Sequence, residues 1–228
     1  MLCATKCHMQ TPSASEHLQV IRTLMERSAL YRRALAPITI FVGSLGLVAA
    51  IAGWQLGIDQ PVPFILYWYV VGALAISGAF FMVRRQALKD AEPFWSPPTR
   101  RVARAMLPPL AAGFMLGALF VISELMPSPG AGPAAGLTPR WIYLVCLPLL
   151  WVILYGCAVH ASGFFMTRGM QLFGWLIIAG GCASFLIGAP GETKMPLVSY
   201  GIMGGFFGLL HIAYGVYLYF TENRGSET

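Results

Sequence analysis

The chain alternates between long apolar runs and short polar breaks. Six runs stand out, at about 35–56, 62–83, 105–126, 141–161, 170–188 and 197–220. Each is close to the ~20 apolar residues that a helix needs to cross a bilayer. A soluble helix would show apolar residues on one stripe only, and these runs are apolar on all sides. The pattern therefore predicts an all-α, polytopic membrane bundle of six transmembrane helices.

Ahead of the first run the pattern changes. Within residues 13–33, Leu18, Ile21, Leu24 and Met25 recur at helical spacing, with Arg22, Arg27, Arg32 and Arg33 around them. Ser13 and Glu16 have the spacing of a capping box, in which each side chain satisfies a free backbone donor at a helix start. This is the signature of an amphipathic helix lying in the headgroup layer, arginines toward phosphate. A helix packed on the end of the bundle fits the same residues. Three parts follow: an N-terminal segment, 1–34, a six-span domain, 35–220, and a polar tail, 221–228.

The breaks differ sharply in charge, and the difference sets a direction. Five basic residues precede span one (Lys6, Arg22, Arg27, Arg32, Arg33), and six follow span two (Arg84, Arg85, Lys89, Arg100, Arg101, Arg104). With Arg168 and Arg224 these make thirteen of the fifteen, and the opposite side holds only Arg140 and Lys194. Loops rich in Lys and Arg stay in the cytoplasm. Both termini are thus expected to be cytoplasmic. The alternation also favours an even number of spans, since losing one would scramble it.

Composition adds little to the fold but narrows the partners. Hydrophobic residues make up 57% of the chain and charged residues 11%, against about 25% charged in a soluble domain. The net charge of +6 would suggest nucleic acid in a soluble protein. Here the basic residues flank the spans, so the expected partner is anionic lipid at the cytoplasmic face, with no nucleic acid. A second copy or another membrane protein is a further candidate, because glycines four apart recur at Gly113/Gly117, Gly201/Gly205 and Gly204/Gly208, with Gly180 and Gly181 adjacent on span five. Such spacing lets helix backbones approach closely, within one bundle or between two.

Between spans two and three, Glu92 to Pro98 cannot continue a helix, because three prolines interrupt it. Pro108 and Pro109 are expected in the first turn or two of span three, where proline is best tolerated. Five cysteines (Cys3, Cys7, Cys146, Cys157, Cys182) are odd in number and scattered, which argues against a disulfide framework. Cys3 and Cys7 precede His8, but three residues separate them, where c-type haem attachment uses two. A translation start at Met9 would exclude this segment altogether. No signal peptide is read at the N-terminus, where basic residues precede the first apolar run.

Chemistry within the spans is sparse. His211 lies near the middle of span six, Glu124 close to the outer end of span three, and His160 at the inner end of span four. Ionisable residues at such depths are costly, which makes these three the candidate polar sites. A pair of histidines could hold haem only at matching depth. His211 lies roughly 5 Å inward of its span's centre and His160 roughly 13 Å, at ~1.5 Å per residue. That mismatch speaks against a shared haem. No phosphate loop, zinc-binding His-Glu-x-x-His or Gly-x-Ser-x-Gly pattern occurs. No cofactor, metal ligand or catalytic residue is assigned.

Two stretches carry a family likeness. His17-Leu18-Gln19-Val20-Ile21-Arg22-Thr23-Leu24-Met25-Glu26-Arg27-Ser28 resembles the opening of an uncharacterised family of bacterial multi-pass inner-membrane proteins. Leu149-Leu150-Trp151-Val152-Ile153-Leu154-Tyr155-Gly156-Cys157-Ala158 looks like a later span of theirs. The resemblance implies a bacterial inner-membrane location, a role beside regulatory systems and a start near Met9. It carries no activity and no site residue.

The expected function is that of a non-enzymatic accessory, sensing or structural membrane component. A small transporter or channel subunit is the first alternative, built on Glu124, Ser123, Ser162, Ser199 and His211. A membrane redox subunit is the second.

Overall fold

A computed structural model describes residues 14–89, 97–126, 139–166, 168–187 and 191–224, with the side chains of the first segment given from Leu35 onward. The Cys3–His8 segment, the Ser13 cap, most of the Glu92–Pro98 stretch, the 127–138 loop and the last residues of the tail lie outside them. Every element among the described residues is helical. They are α1 (Ala14–Gln55), α2 (Pro61–Lys89), α3 (Pro97–Leu125), α4 (Leu147–Gly163), α5 (Arg168–Ser184), α6 (Met195–Met203) and α7 (Leu210–Arg224). A π-helical segment, Ile142–Cys146, leads into α4, and another, Gly204–Leu209, joins α6 to α7.

Five stretches are long and apolar enough to cross a membrane: Leu35–Gln55, Pro61–Lys89, Thr99–Leu125, Ile142–Gly163 and Met195–Thr221. The fifth apolar run of the sequence forms α5, which has only 17 α-helical residues before a 3-10 turn at Phe185–Ile187. Further differences from the sequence reading concern ends. The backbone from Ala14 runs without a break into span one, so no turn separates an interfacial helix from it. Pro37 lies inside that helix. The helix α3 starts at Pro97, well ahead of position 105, and this places Pro108 and Pro109 in its interior rather than its first turns. Apolarity sets where the bilayer-deep part lies, whereas the helix itself continues until a proline or a turn stops it. Pro97 suits a first helical position because its missing N–H has no partner there in any case.

The bundle is organised around α4. Over half of its apolar window is buried (56%), against 11% for that of α3. It packs closely on α5 and α3, while α1 lies against α7 and the π segment before it. Glycine makes both close contacts possible. A Cβ on Gly208 would lie 3.0 Å from the Leu47 backbone, and one on Gly174 would lie 2.5 Å from the His160 backbone nitrogen. Of the stripes read in span six, Gly204 and Gly208 face α1, whereas Gly201 and Gly205 have open space around them. On α2 burial stops early: Phe64, Ile65 and Trp68 are its buried residues.

Contacts define two ends of this bundle. At one, Asp59 in the α1–α2 turn pairs with Arg140 ahead of α4, and the Tyr200 hydroxyl of α6 donates to the Ile58 carbonyl at 2.7 Å. At the other, α4 turns back into α5 beside His160, whose ring nitrogen Nδ1 lies 3.2 Å from the Gln171 carbonyl.

Candidate functional site

Of the three ionisable residues picked out in the sequence, His211 is the one that is fully enclosed, at 1% exposure. The π segment Gly204–Leu209 shapes its surroundings. Widening the helix pairs the Leu210 N–H with the Gly205 carbonyl five residues back, in place of the usual four. One residue on, the His211 side chain reaches the Phe206 carbonyl with Nδ1 at 2.8 Å. A carbonyl only accepts, so Nδ1 carries the proton. Burial in an apolar interior favours the uncharged ring, so Nε2 is the acceptor and the Tyr155 hydroxyl donates to it at 2.8 Å. The chain of bonds runs from α4 through the imidazole to the α6–α7 backbone. Both ring nitrogens are satisfied without any charge in the apolar interior.

Aromatic rings wall this centre. Phe173 of α5 meets the imidazole edge-on at 5.2 Å between centroids and stacks on Tyr214 at 4.1 Å. Phe207 packs edge-on against Tyr155 at 5.1 Å. Depth matching could have found Tyr155 in the sequence. The reckoning that separates His160 from His211 puts Tyr155 roughly four residues inward of its own span's centre, level with His211 to within ~2 Å. An apolar run offers no polarity signal that would single out one tyrosine.

His160 serves a different joint. Its Nδ1–H donates to the Gln171 carbonyl, and its ring lies edge-on between Phe164 and Trp175, at 5.2 and 5.1 Å. It binds α4 to the start of α5, and the two histidines hold separate contacts. Among the described residues, no three His, Cys, Asp or Glu side chains converge in a way that could hold a metal ion.

Glu124 belongs to the Asp59 end, in a group that the sequence did not suggest. Asp59 accepts a hydrogen bond from the Arg140 guanidinium, and the pair is partly open, with side-chain exposures of 33% and 41%. That bond, helped by the charge of Asp59, raises the pKa of Arg140 above its ordinary value, so the guanidinium stays charged. Arg140 and Glu124 are both near enough to the Tyr143 phenol to act on it electrostatically. Tyr143 stands in the other π segment, which pairs the Leu147 N–H with the Ile142 carbonyl. Glu124 Oε1, Trp68 Nε1 and Ser199 Oγ are buried with no hydrogen-bond partner among the described residues. Asp59 and Arg140 are 81 positions apart in sequence, and charge counting alone could not pair them.

Elsewhere, aromatic side chains tie helices through main-chain carbonyls. Tyr67 Oη donates to the Ala49 carbonyl at 2.5 Å, Trp151 Nε1 to that of Gly113 at 2.8 Å, and Tyr69 Oη to that of Phe114. A helical carbonyl has a second lone pair to offer, and small residues such as Ala49 and Gly113 leave it reachable. No family model, curated protein or solved structure matches this chain. The geometry therefore stands by itself.

Proposed function

We propose that this chain is a six-span bacterial inner-membrane protein that acts as a non-enzymatic accessory, sensing or structural component. The Asp59 end faces out of the cell and both termini face the cytoplasm. The observation that carries the functional reading is how the polar groups inside the spans are used. His211, Tyr155, Tyr67 and Trp151 each complete a bond between one helix and another. Unmade bonds are expensive in lipid, so such bonds hold the bundle in one arrangement. A rigid bundle with a wide apolar flank on α2 and α3 suits a component that docks beside other membrane proteins. Exposed Leu74, Phe81, Phe114 and Leu119 lie on that flank.

Two arguments support the sixth crossing and its direction. The starts of α4 and α6 both lie at the Asp59 end, which supports a return of the chain between them through α5. Its 17 α-helical residues and three-residue 3-10 turn together span about 31 Å, near the ~30 Å of a hydrocarbon core. The thirteen-to-two split of Lys and Arg assigns the ends. The bacterial location rests on the two family-like stretches, and contact with anionic lipid on the basic loops.

Site-specific photo-crosslinkers in place of Leu74 and Phe114 test the role in cells. The expected product is a crosslink to a discrete membrane protein, whereas lipid adducts alone would remove the docking reading. A second reading, a transporter or channel subunit, draws on the buried Glu124 oxygen near Tyr143, which has no hydrogen-bond partner among the described residues. It requires solute or ion flux in proteoliposomes that Glu124→Gln abolishes.

A further inference from the structure

The turn between α1 and α2, residues 56–60, closes the Asp59 end and is fastened from outside itself. Gly57 makes its corner with φ +63°, a conformation that side-chain-bearing residues rarely adopt. Arg140 holds the Asp59 carboxylate, and the Tyr200 hydroxyl holds the Ile58 carbonyl at 2.7 Å. The Ile58 side chain packs on the core cluster that contains Phe64, Trp68, Tyr143 and Tyr200. Two polar tethers and one aliphatic contact thus keep the turn against the bundle. Water can replace both tethers, and the ion pair is already half open to it.

Trp68 belongs to that cluster, Ser199 precedes its Tyr200 on α6, and Glu124 follows Val121, which packs on it from α3. Trp68 is 6% exposed and Ser199 0%, yet Nε1 and Oγ have no hydrogen-bond partner among the described residues. A buried group in that condition costs about 1–3 kcal/mol. Natural folds keep few of them, and each one calls for a reason. An acidic side chain stands at the same end of the bundle. Asp59 occupies Arg140, and Glu124 Oε1 is buried with no hydrogen-bond partner among the described residues. The faces of Trp68 and Tyr143 are of the kind that attract cations.

We propose that residues 56–60 form a strap that lifts off this end of the bundle and admits a small cationic solute, such as a protonated amine, to Glu124, Trp68 and Ser199. Glu124 is the counter-charge, the aromatic rings are the wall, and the Ser199 hydroxyl is the hydrogen-bonding partner. Binding would give a sensing component its stimulus. The helix-tying role of His211 does not depend on it, and either can fail alone.

Thiol accessibility tests both halves of this proposal. Ser199→Cys is placed in a chain whose five native cysteines are alanine. The protein is held in lipid nanodiscs, which expose both faces and so remove orientation from the result. Trimethylammonioethyl and sulfonatoethyl methanethiosulfonate are the cationic and anionic probes, each rate being normalised to a free thiol. Asp59→Asn is expected to speed modification roughly fivefold, in line with the modest strength of a half-exposed ion pair. The charge-swapped pair Asp59→Arg with Arg140→Asp is expected to return it to the slow rate, which a merely unfolded protein would not do. The cationic probe is expected to be favoured, and Glu124→Gln to erase that preference. An unchanged rate in Asp59→Asn, or a swapped pair that stays fast, would overturn the strap. A cation preference that is absent, or that survives Glu124→Gln, would overturn the site.

Discussion

The two polar centres of this bundle solve the cost of polarity in lipid in opposite ways. Around His211 every ring nitrogen has its bond, the charge is zero, and aromatic rings close the surroundings. At the Asp59 end a carboxyl oxygen, an indole N–H and a hydroxyl are buried without partners among the described residues, and a part-exposed ion pair fastens a turn. Each centre lies beside a π-helical segment, a feature often kept where a helix must re-aim a side chain. At Gly204–Leu209 the widened turn presents the Phe206 carbonyl to His211. At Ile142–Cys146 it carries Tyr143 beside Arg140. The first centre is a joint, and the second has capacity left over. Polarity inside a span is therefore weak evidence of function until its bonds are counted.

The contrast can be broken most forcefully at the close helix contact beside the His160 joint. In Gly174→Val the new side chain meets the His160 backbone, and overpacking of this kind costs about 1–3 kcal/mol or more. The expected outcome is loss of monodisperse protein on size exclusion in mild detergent. Gly201→Ala, on open surface, should elute as the parent does.

Next comes the joint itself. His211→Leu and Tyr155→Phe each leave a polar group without its partner, at a cost of about 1–2 kcal/mol. Because they break one shared bond, the double variant should be less destabilised than the two singles combined, by about 0.5–1 kcal/mol. Steric-trapping measurements in bicelles read these values. Full additivity would mean that the bond between Tyr155 and His211 contributes nothing.

Smaller effects should mark the aromatic ties and the strap. Tyr67→Phe removes the bond to the Ala49 carbonyl and should cost about 0.6 kcal/mol, the mean for such bonds within membranes. Asp59→Asn should cost less than ~1 kcal/mol, and high salt should weaken the parent by a similar amount and leave the variant unmoved. Salt titration of thermal stability compares the two.

Much of this architecture is legible in the sequence because apolarity over ~20 residues is a strong, local signal. Five helices long and apolar enough to cross a membrane, and their order, follow from it. The placement of Pro108 and Pro109 does not. Basic residues such as Arg101 and Arg104 read as a loop, yet the backbone is helical through them because water satisfies their charges while the helix satisfies their amides. His211 and Glu124 are visible as rarities in apolar runs. Their partners are not, since Tyr155 is one tyrosine among nine and Arg140 looks like an ordinary flanking charge. Pairing is a property of distant positions brought level by the fold. Likewise Gly201 and Gly204 are equivalent on paper, and only packing tells that the second faces α1.

The central claim is that one centre is a completed joint and the other is not. It is tested most directly by measuring Tyr155→Phe and Ser199→Ala side by side in the same bicelles. Each deletes a single buried hydroxyl. The account predicts that Tyr155→Phe loses about 1–2 kcal/mol, while Ser199→Ala, which removes a group with no bond to lose, is neutral or slightly stabilising. A neutral Tyr155→Phe together with a destabilised Ser199→Ala would contradict it.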